Sequence, residues 1–375
     1  MEYDVIILGL GGVGSAAAWQ SSLRSRRVLG LEQFHAGHDQ GSSHGATRII
    51  RQAYFEHPDY VPLLLRAYQL WHKLETKVST PLFEPCGLLE VGPEDGELIP
   101  GIRESVRQHH LQLQELTLST AATQFPQFVI PKGSVAVFEP TAGFLHVENC
   151  VLQMQAAAIH NGADLRFEQA VESIEFAGQD RILVRTTVEP FATRRLIITA
   201  GSWASKWLSQ SNIPLRILRK QLQWFATNDL RFQSPHCPAF FYECANGWFY
   251  GFPAIDQAGV KVAEHSGGIE LVSPEAVDRA LDASEAERSR AFCRQYLPSI
   301  TSPVVRHDVC LYTMSPDQHF LVDHLSELPG TVFAAGLSGH GFKFATVLGQ
   351  ALTELAMDGG TDLPIQFLRS SRFAG

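Results

Sequence analysis

The segment that most restricts this chain is its first 32 residues, which read as one β-α-β unit. Tyr3 to Leu8 is an apolar run of strand length, and Gly9-Leu10-Gly11-Gly12-Val13-Gly14 follows it directly. Small residues from Ser15 to about Leu23 continue as a helix, and Val28-Leu29-Gly30-Leu31 forms a second strand ending in Glu32. In this setting the Gly9-x-Gly11-x-x-Gly14 spacing has a mechanical meaning. Gly9 permits the tight turn, Gly11 lets the main chain approach a pyrophosphate, and Gly14 lets the helix pack closely on the strand. Phosphate then rests on the helix N-terminus, where free amides and the dipole favour negative charge. Glu32 lies 18 residues beyond Gly14, which suits an acceptor for ribose hydroxyls and disfavours a 2′-phosphate. The expected ligand is FAD or NAD, not NADP; the alternative is a glycine-rich turn in an ordinary α/β protein.

Beyond this unit, residues 33–47 are rich in Gly, Ser and His and read as a loop. Helical periodicity runs from Tyr60 to Leu74, near Gly101–Gln114, and from Val151 to His160. Strands are expected at Cys86–Gly92, Val135–Phe138, Asp164–Phe167, Ile182–Thr186, Gln221–Thr227 and Trp248–Phe252. Thr331–Ala335 is a further strand, followed by Gly336–Lys343 and a helix to about Asp358. Nucleotide-type signals at both ends and in the middle, with β-rich segments between them, imply two interleaved domains. The expected fold is α/β with α+β elements, a Rossmann-like FAD-binding domain (1–80, 149–214, 321–375) interleaved with a β-rich substrate domain (81–148, 215–320).

Composition narrows the partners. A net charge of −9 with scattered basic residues argues against nucleic acid. No stretch reaches the roughly 18–20 apolar residues of a membrane span. Glu2 and Asp4 stand where a signal peptide would be basic, and Arg372-Phe373-Ala374-Gly375 matches no peroxisomal or lipidation signal, so a cytoplasmic protein is expected. Six cysteines without CxxC or finger spacing give no reason to expect a metal site.

Two later segments favour FAD over NAD. Leu196-Ile197-Ile198-Thr199-Ala200-Gly201-Ser202-Trp203 resembles the strand-to-glycine turn that completes the FAD site of two-dinucleotide-fold flavoproteins; a plain core strand is the alternative. Gly336-Leu337-Ser338-Gly339-His340-Gly341-Phe342-Lys343 opens an apolar helix. A lysine at the positive end of the dipole costs about 0.3–1 kcal/mol, which is easier to explain if Lys343 faces an anion.

Together with Gly41-Ser42-Ser43-His44-Gly45-Ala46-Thr47-Arg48-Ile49-Ile50-Arg51, Tyr60-Val61-Pro62-Leu63, Tyr250-Gly251-Phe252-Pro253, Lys261-Val262-Ala263-Glu264-His265, Val309-Cys310-Leu311-Tyr312 and Arg369-Ser370-Ser371-Arg372-Phe373, these segments resemble the monomeric sarcosine oxidase family of flavoproteins, most closely its N-methyltryptophan oxidase branch. The resemblance implies FAD attached covalently through Cys310 to the 8α-methyl of the flavin. It makes Arg51 and Lys343 the grip on a substrate carboxylate, Lys261 the oxygen-activating lysine, His265 and Tyr250 the residues that orient the amine, and Tyr312 a cover over the carboxylate. Gly9, Gly11, Gly14, Glu32, Ser43, His44, Thr47, Arg48, Val171, Gly201, Gly339 and Gly341 complete the implied cofactor set, Val171 through its main chain at the adenine. Read without the family, Cys310 is a buried thiol in a strand, Arg51 a surface partner of Glu56 or Asp59, and Lys261 an exposed strand lysine. The family's His-His-Gly-Asp run is here Ser43-His44-Gly45-Ala46, and Phe241 and Trp248 place large rings beside the expected pocket.

The resemblance implies a monomer that oxidises a small secondary (N-methyl) amino acid with oxygen. Three rivals stay open: an oxidase of another amine (pipecolate, glycine, a fructosyl-amine), a flavin dehydrogenase with a different acceptor, and a nucleotide-binding protein or NAD enzyme.

Overall fold

Val5–Leu8 and Val28–Leu31 are buried at every residue, as parallel strands covered on both faces must be. In the computed structural model, which describes residues 2–178, 180–209 and 213–373, they lie at the middle of a six-stranded sheet. Its order is Asp164–Arg166, Val28–Leu31, Val5–Leu8, Leu196–Ile198, Thr331–Ala335, Leu321–His324, parallel except for the last pair. The first helix, Gly12–Ser22, is buried on almost all sides among Ala16, Ala17, Ala18 and Trp19. Helices Val147–His160 and Ala345–Asp358 pack against it, so an apolar, small-residue surface all round is required. The helix begins at Gly12 instead of Ser15, and Gly14 in its first turn must be glycine because a Cβ there would meet the Gly9 carbonyl oxygen at 1.8 Å.

The second large sheet has nine strands. In order they are Ile269–Leu271, Arg216–Phe225, Val260–Glu264, Gly247–Phe252, Ala239–Cys244, Leu88–Pro93, Ser134–Glu139 and Gln114–Leu116, with Val304–Met314 pairing along Arg216–Phe225. A three-stranded ribbon, Thr47–Ile50, Gly143–His146 and Phe83–Glu84, bridges the two regions. A four-stranded sheet (Glu2–Tyr3, Pro190–Thr193, Ile182–Thr186, Val171–Phe176) flanks the first.

Several elements differ from expectation, each for a local reason. The helix expected over Gly101–Gln114 runs from Leu98 to His109, stopped by His110 in the left-handed region (φ 54°), and Gln114–Leu116 is a strand. Helix Ala283–Tyr296 was not expected, since charges interrupt its apolar face. Asp282 caps it by accepting from the Ser284 and Glu285 amides, and Ala286, Ser289, Phe292, Cys293 and Tyr296 turn inward. Strand Val304–Met314 hides behind its polar first half, Arg306-His307-Asp308. Among the described residues no helix is long and apolar enough to cross a membrane. The closing Ala374-Gly375, read above for targeting signals, lies outside the described residues.

Candidate active site

A cavity partly open to solvent runs from the glycine turn of the six-stranded sheet to the face of the nine-stranded one. Main chain lines its first end. Gly9, Gly11 and Gly12 lie on the wall beside Glu32, Val171 and Gly201. The Glu32 carboxylate accepts from the Leu10 amide (2.8 Å) and the Phe34 amide (3.1 Å), which ties the end of the second strand to the glycine turn. Ser43 Oγ accepts from the Gly12 amide at 3.0 Å, so a hydroxyl stands at the helix N-terminus where an anionic oxygen would bind. The Val171 carbonyl accepts from Lys206 Nζ at 3.2 Å.

Side chains line the other end. Cys310 sits on the long strand, with the Arg48 guanidinium 3.6 Å from its sulfur. Arg48 is itself fixed to the Ser42 and Thr47 carbonyls. Tyr250, His265, Tyr312, Arg51 and Lys343 share this wall with Gly339 and Gly341. Gly339 (φ 82°) passes directly beneath Tyr312, whose ring a Cβ there would meet at 2.2 Å. His265 extends the strand Val260–Glu264 by donating its amide to the Trp248 carbonyl at 2.7 Å. Burial, with Lys220 nearby, pushes its imidazole down to about 3, so the ring is neutral and can accept a proton donor.

Arg51 and Lys343 come from opposite ends of the chain and both lie over the Tyr54 ring, 5.0 and 5.2 Å from its centre. Arg51 is buried, which corrects the surface reading. It pairs with Glu56 (2.7 Å) and with Glu90 (3.2 Å), not with Asp59. Lys343 Nζ donates to the His340 carbonyl at 2.8 Å, and burial followed by Arg51 pushes its ammonium down to about 7. An anion arriving beside it would raise that value again.

Four expected site residues do not reach the wall. Gly14 lies inside the helix packing. His44 faces the Gly41 carbonyl (3.1 Å), and burial lowers it to about 4. Thr47 and Lys261 are one shell back, with Lys261 Nζ donating to the Gly45 carbonyl (2.6 Å), the Thr47 carbonyl (3.0 Å) and Thr47 Oγ1 (3.2 Å). Lys261 is buried, not exposed, and burial lowers its ammonium well below the usual range. Ala46 is held at φ 67°, and Glu148 accepts from the Gly45 and Ala46 amides. Phe241 lines the cavity; Trp248 backs it, stacked 6.4 Å from His265. Glu90 is a further residue of this cluster: the apolar run Leu88-Leu89-Glu90-Val91 marks it as buried, and only the fold brings it to Arg51.

The donor set fits a dinucleotide at the first end and a ring system at the second, because amides and a helix N-terminus lead toward a thiol, two cations and neutral aromatic groups. Comparison with known proteins agrees. Monomeric sarcosine oxidase of Arthrobacter sp. (strain TE1826) is 35% identical over 377 residues, 99% of this chain and 96% of that protein. N-methyl-L-tryptophan oxidase of Yersinia pestis (strain Pestoides F) is 34% identical over the whole of both chains. The fold is shared with NikD, an unusual amino acid oxidase essential for nikkomycin biosynthesis (TM-score 0.85, 23% identity, 98% of this chain and 97% of that one). It is also shared with L-proline dehydrogenase from P. horikoshii (TM-score 0.87, 21% identity, 100% and 98%). Residues 4–355 match the DAO model, described as FAD dependent oxidoreductase, and this chain belongs to that family.

Proposed function

We propose that this protein is an oxidase of secondary (N-methyl) amino acids, converting an N-methyl amino acid, oxygen and water to the amino acid, formaldehyde and hydrogen peroxide. The observation that carries the reading is the convergence of Arg51 and Lys343 with the Cys310 thiol, His265 and Tyr312 on one cavity. Two cations beside an aromatic ring suit a carboxylate. The relatives at about a third identity, named for sarcosine and N-methyl-L-tryptophan, support these two substrates first.

FAD, when bound, supplies the two-electron acceptor for the C–N bond. The chain's own residues do the rest. Residues 1–80, 149–214 and 321–375 form the FAD-binding part; the six-stranded sheet draws its strands from these ranges and the nine-stranded sheet from 81–148 and 215–320. Cys310, whose thiol lines the cavity, is the residue that would hold the flavin covalently. Arg51 and Lys343 hold the carboxylate, and Tyr312 covers it. Neutral His265 and Tyr250 receive the amine without adding charge, which favours the neutral amine needed for oxidation. Lys261, behind the cavity wall, donates to the Gly45 and Thr47 carbonyls, and a cation held there would stabilise negative charge developing on oxygen.

One observation favours a second substrate class. The Phe241 ring lies 5.6 Å from the Arg51 guanidinium and narrows the space beside it, which suits a compact ring amine. Peroxide release from sarcosine, N-methyl-L-tryptophan, proline and pipecolate separates these. The proposal expects the first two to lead; turnover confined to proline or pipecolate selects the ring-amine reading, and no peroxide from any rejects the oxidase.

A further inference from the structure

In the nine-stranded sheet, Val137, Glu90, Phe241, Tyr250 and Ala263 stand opposite one another on successive strands and so share one face. Phe241 and Tyr250 of this row line the cavity. Glu90 is the one charged member, 0% exposed, and it reaches the back of Arg51.

Three carboxylates stand around that guanidinium, and they are not equally committed. Glu139 accepts from the Gln52 amide (2.8 Å), the Ala53 amide (3.0 Å) and Thr141 Oγ1 (3.2 Å), a set that favours its ionised form and opposes the rise that burial imposes on it. Glu56 takes Arg51 Nη2 with both oxygens, at 2.7 and 3.0 Å. Glu90 has one oxygen 3.2 Å from Arg51 Nη1, and its Oε2 has no hydrogen-bond partner among the described residues. With Lys343 included, the cluster holds two cations against Glu56, Glu90 and Glu139, and of these acids Glu56 lines the cavity. A substrate carboxylate would add a further negative charge to a group that already has more acids than bases, and neutralising Glu90, the carboxyl with the fewest hydrogen bonds, is the least costly way to admit it.

We propose that Glu90 is a positioning residue of the carboxylate grip, and that it takes up a proton from solvent when an anionic substrate binds, freeing the charge of Arg51 for the substrate. This deepens the proposed function and rests on its assignment of Arg51 and Lys343. The direction is supported by burial, which pushes the Glu90 carboxyl up to about 8 against the pull of Arg51, with Glu139 and Glu56 adding to the rise and Lys343 opposing it. Glutamine in place of Glu90 keeps the shape and the hydrogen bond from Arg51 while removing the proton.

The test uses the holoprotein with benzoate as a carboxylate probe and benzamide as its neutral counterpart. In wild type at about pH 9, where Glu90 is ionised in the free protein, benzoate binding should produce an infrared difference band of a newly protonated carboxyl, and benzamide should not. In Glu90→Gln the band should vanish while benzoate still binds. The slope of log Kd against pH above about 8 should be smaller by one proton in the variant than in wild type. Lys343 also loses charge in this range, so the infrared band, which a lysine cannot give, separates the two. Glu90→Leu provides a second variant without any carboxyl or amide. Benzoate binding to wild type with no such band, or with the same band and slope in both variants, overturns the role of Glu90 and leaves the grip intact. Failure of benzoate to bind wild type any better than benzamide overturns the grip, and the inference with it.

Discussion

The two ends of the cavity are built from different materials. Under the six-stranded sheet the wall is main chain: the turn at Gly9–Gly14, the Gly201 turn, and amides tied to Glu32 and Ser43. Over the nine-stranded sheet it is side chain: Arg51, Lys343, His265, Tyr250, Tyr312 and Cys310. Main-chain recognition depends on local geometry that any sequence with the right glycines reproduces, so it binds the part of the ligand common to many enzymes. Side-chain recognition depends on which strands meet in which register, and it carries what is particular to this one.

If that division is right, the largest effect of a single substitution should fall on the side-chain end. Cys310→Ala should abolish covalent flavin altogether: acid-precipitated wild type keeps a yellow pellet, and the variant releases its flavin to the supernatant. Equal retention of colour would move the attachment elsewhere. Next in size, Lys261→Met should leave anaerobic reduction of the flavin by substrate nearly intact and slow its reoxidation by oxygen by orders of magnitude, followed by stopped-flow absorbance. Reoxidation at the wild-type rate would make Lys261 a structural lysine that holds the Gly45 and Thr47 carbonyls. Arg51→Ala or Lys343→Ala should weaken benzoate binding at least about tenfold, since losing one partner of a buried charge contact costs about 2–5 kcal/mol.

A further prediction concerns stability. His44, His265 and His340 are held neutral by burial, down to about 4, 3 and 4. Their folded values lie below the unfolded value of 6.5 given for each, so the unfolded chain binds protons that the folded chain refuses. Stability should therefore fall as pH drops from 6.5 toward 4, by about 1.4 kcal/mol per pH unit for each such proton. Urea midpoints across this range check it, and replacing His44 by Asn should reduce the slope by one proton. A slope unchanged in that variant would mean the ring is already charged in the fold.

The same contrast explains what was legible in the sequence. The β-α-β unit, the buried strand at Leu196–Ile198 and the closing strand and helix are local patterns with glycine punctuation, and the fold places them as expected. The shared face of Lys261 and Ala263, with His265 just beyond, also follows from a two-residue period, and the cavity end of that row is His265. Helix Ala283–Tyr296 is hidden because charges interrupt the face it buries, and strand Val304–Met314 because only its second half is buried. Glu90 was hidden for another reason. Its meaning depends on Arg51, 39 residues away, reaching the same strand, and no local pattern encodes that encounter.

The central claim is most directly tested by the stoichiometry of turnover with N-methyl-L-tryptophan and with sarcosine. Oxygen consumed, formaldehyde released and peroxide formed should be equal for the substrate that the enzyme takes. Formaldehyde released without oxygen uptake, with electrons passing only to an added dye, would contradict the account and make the enzyme a dehydrogenase.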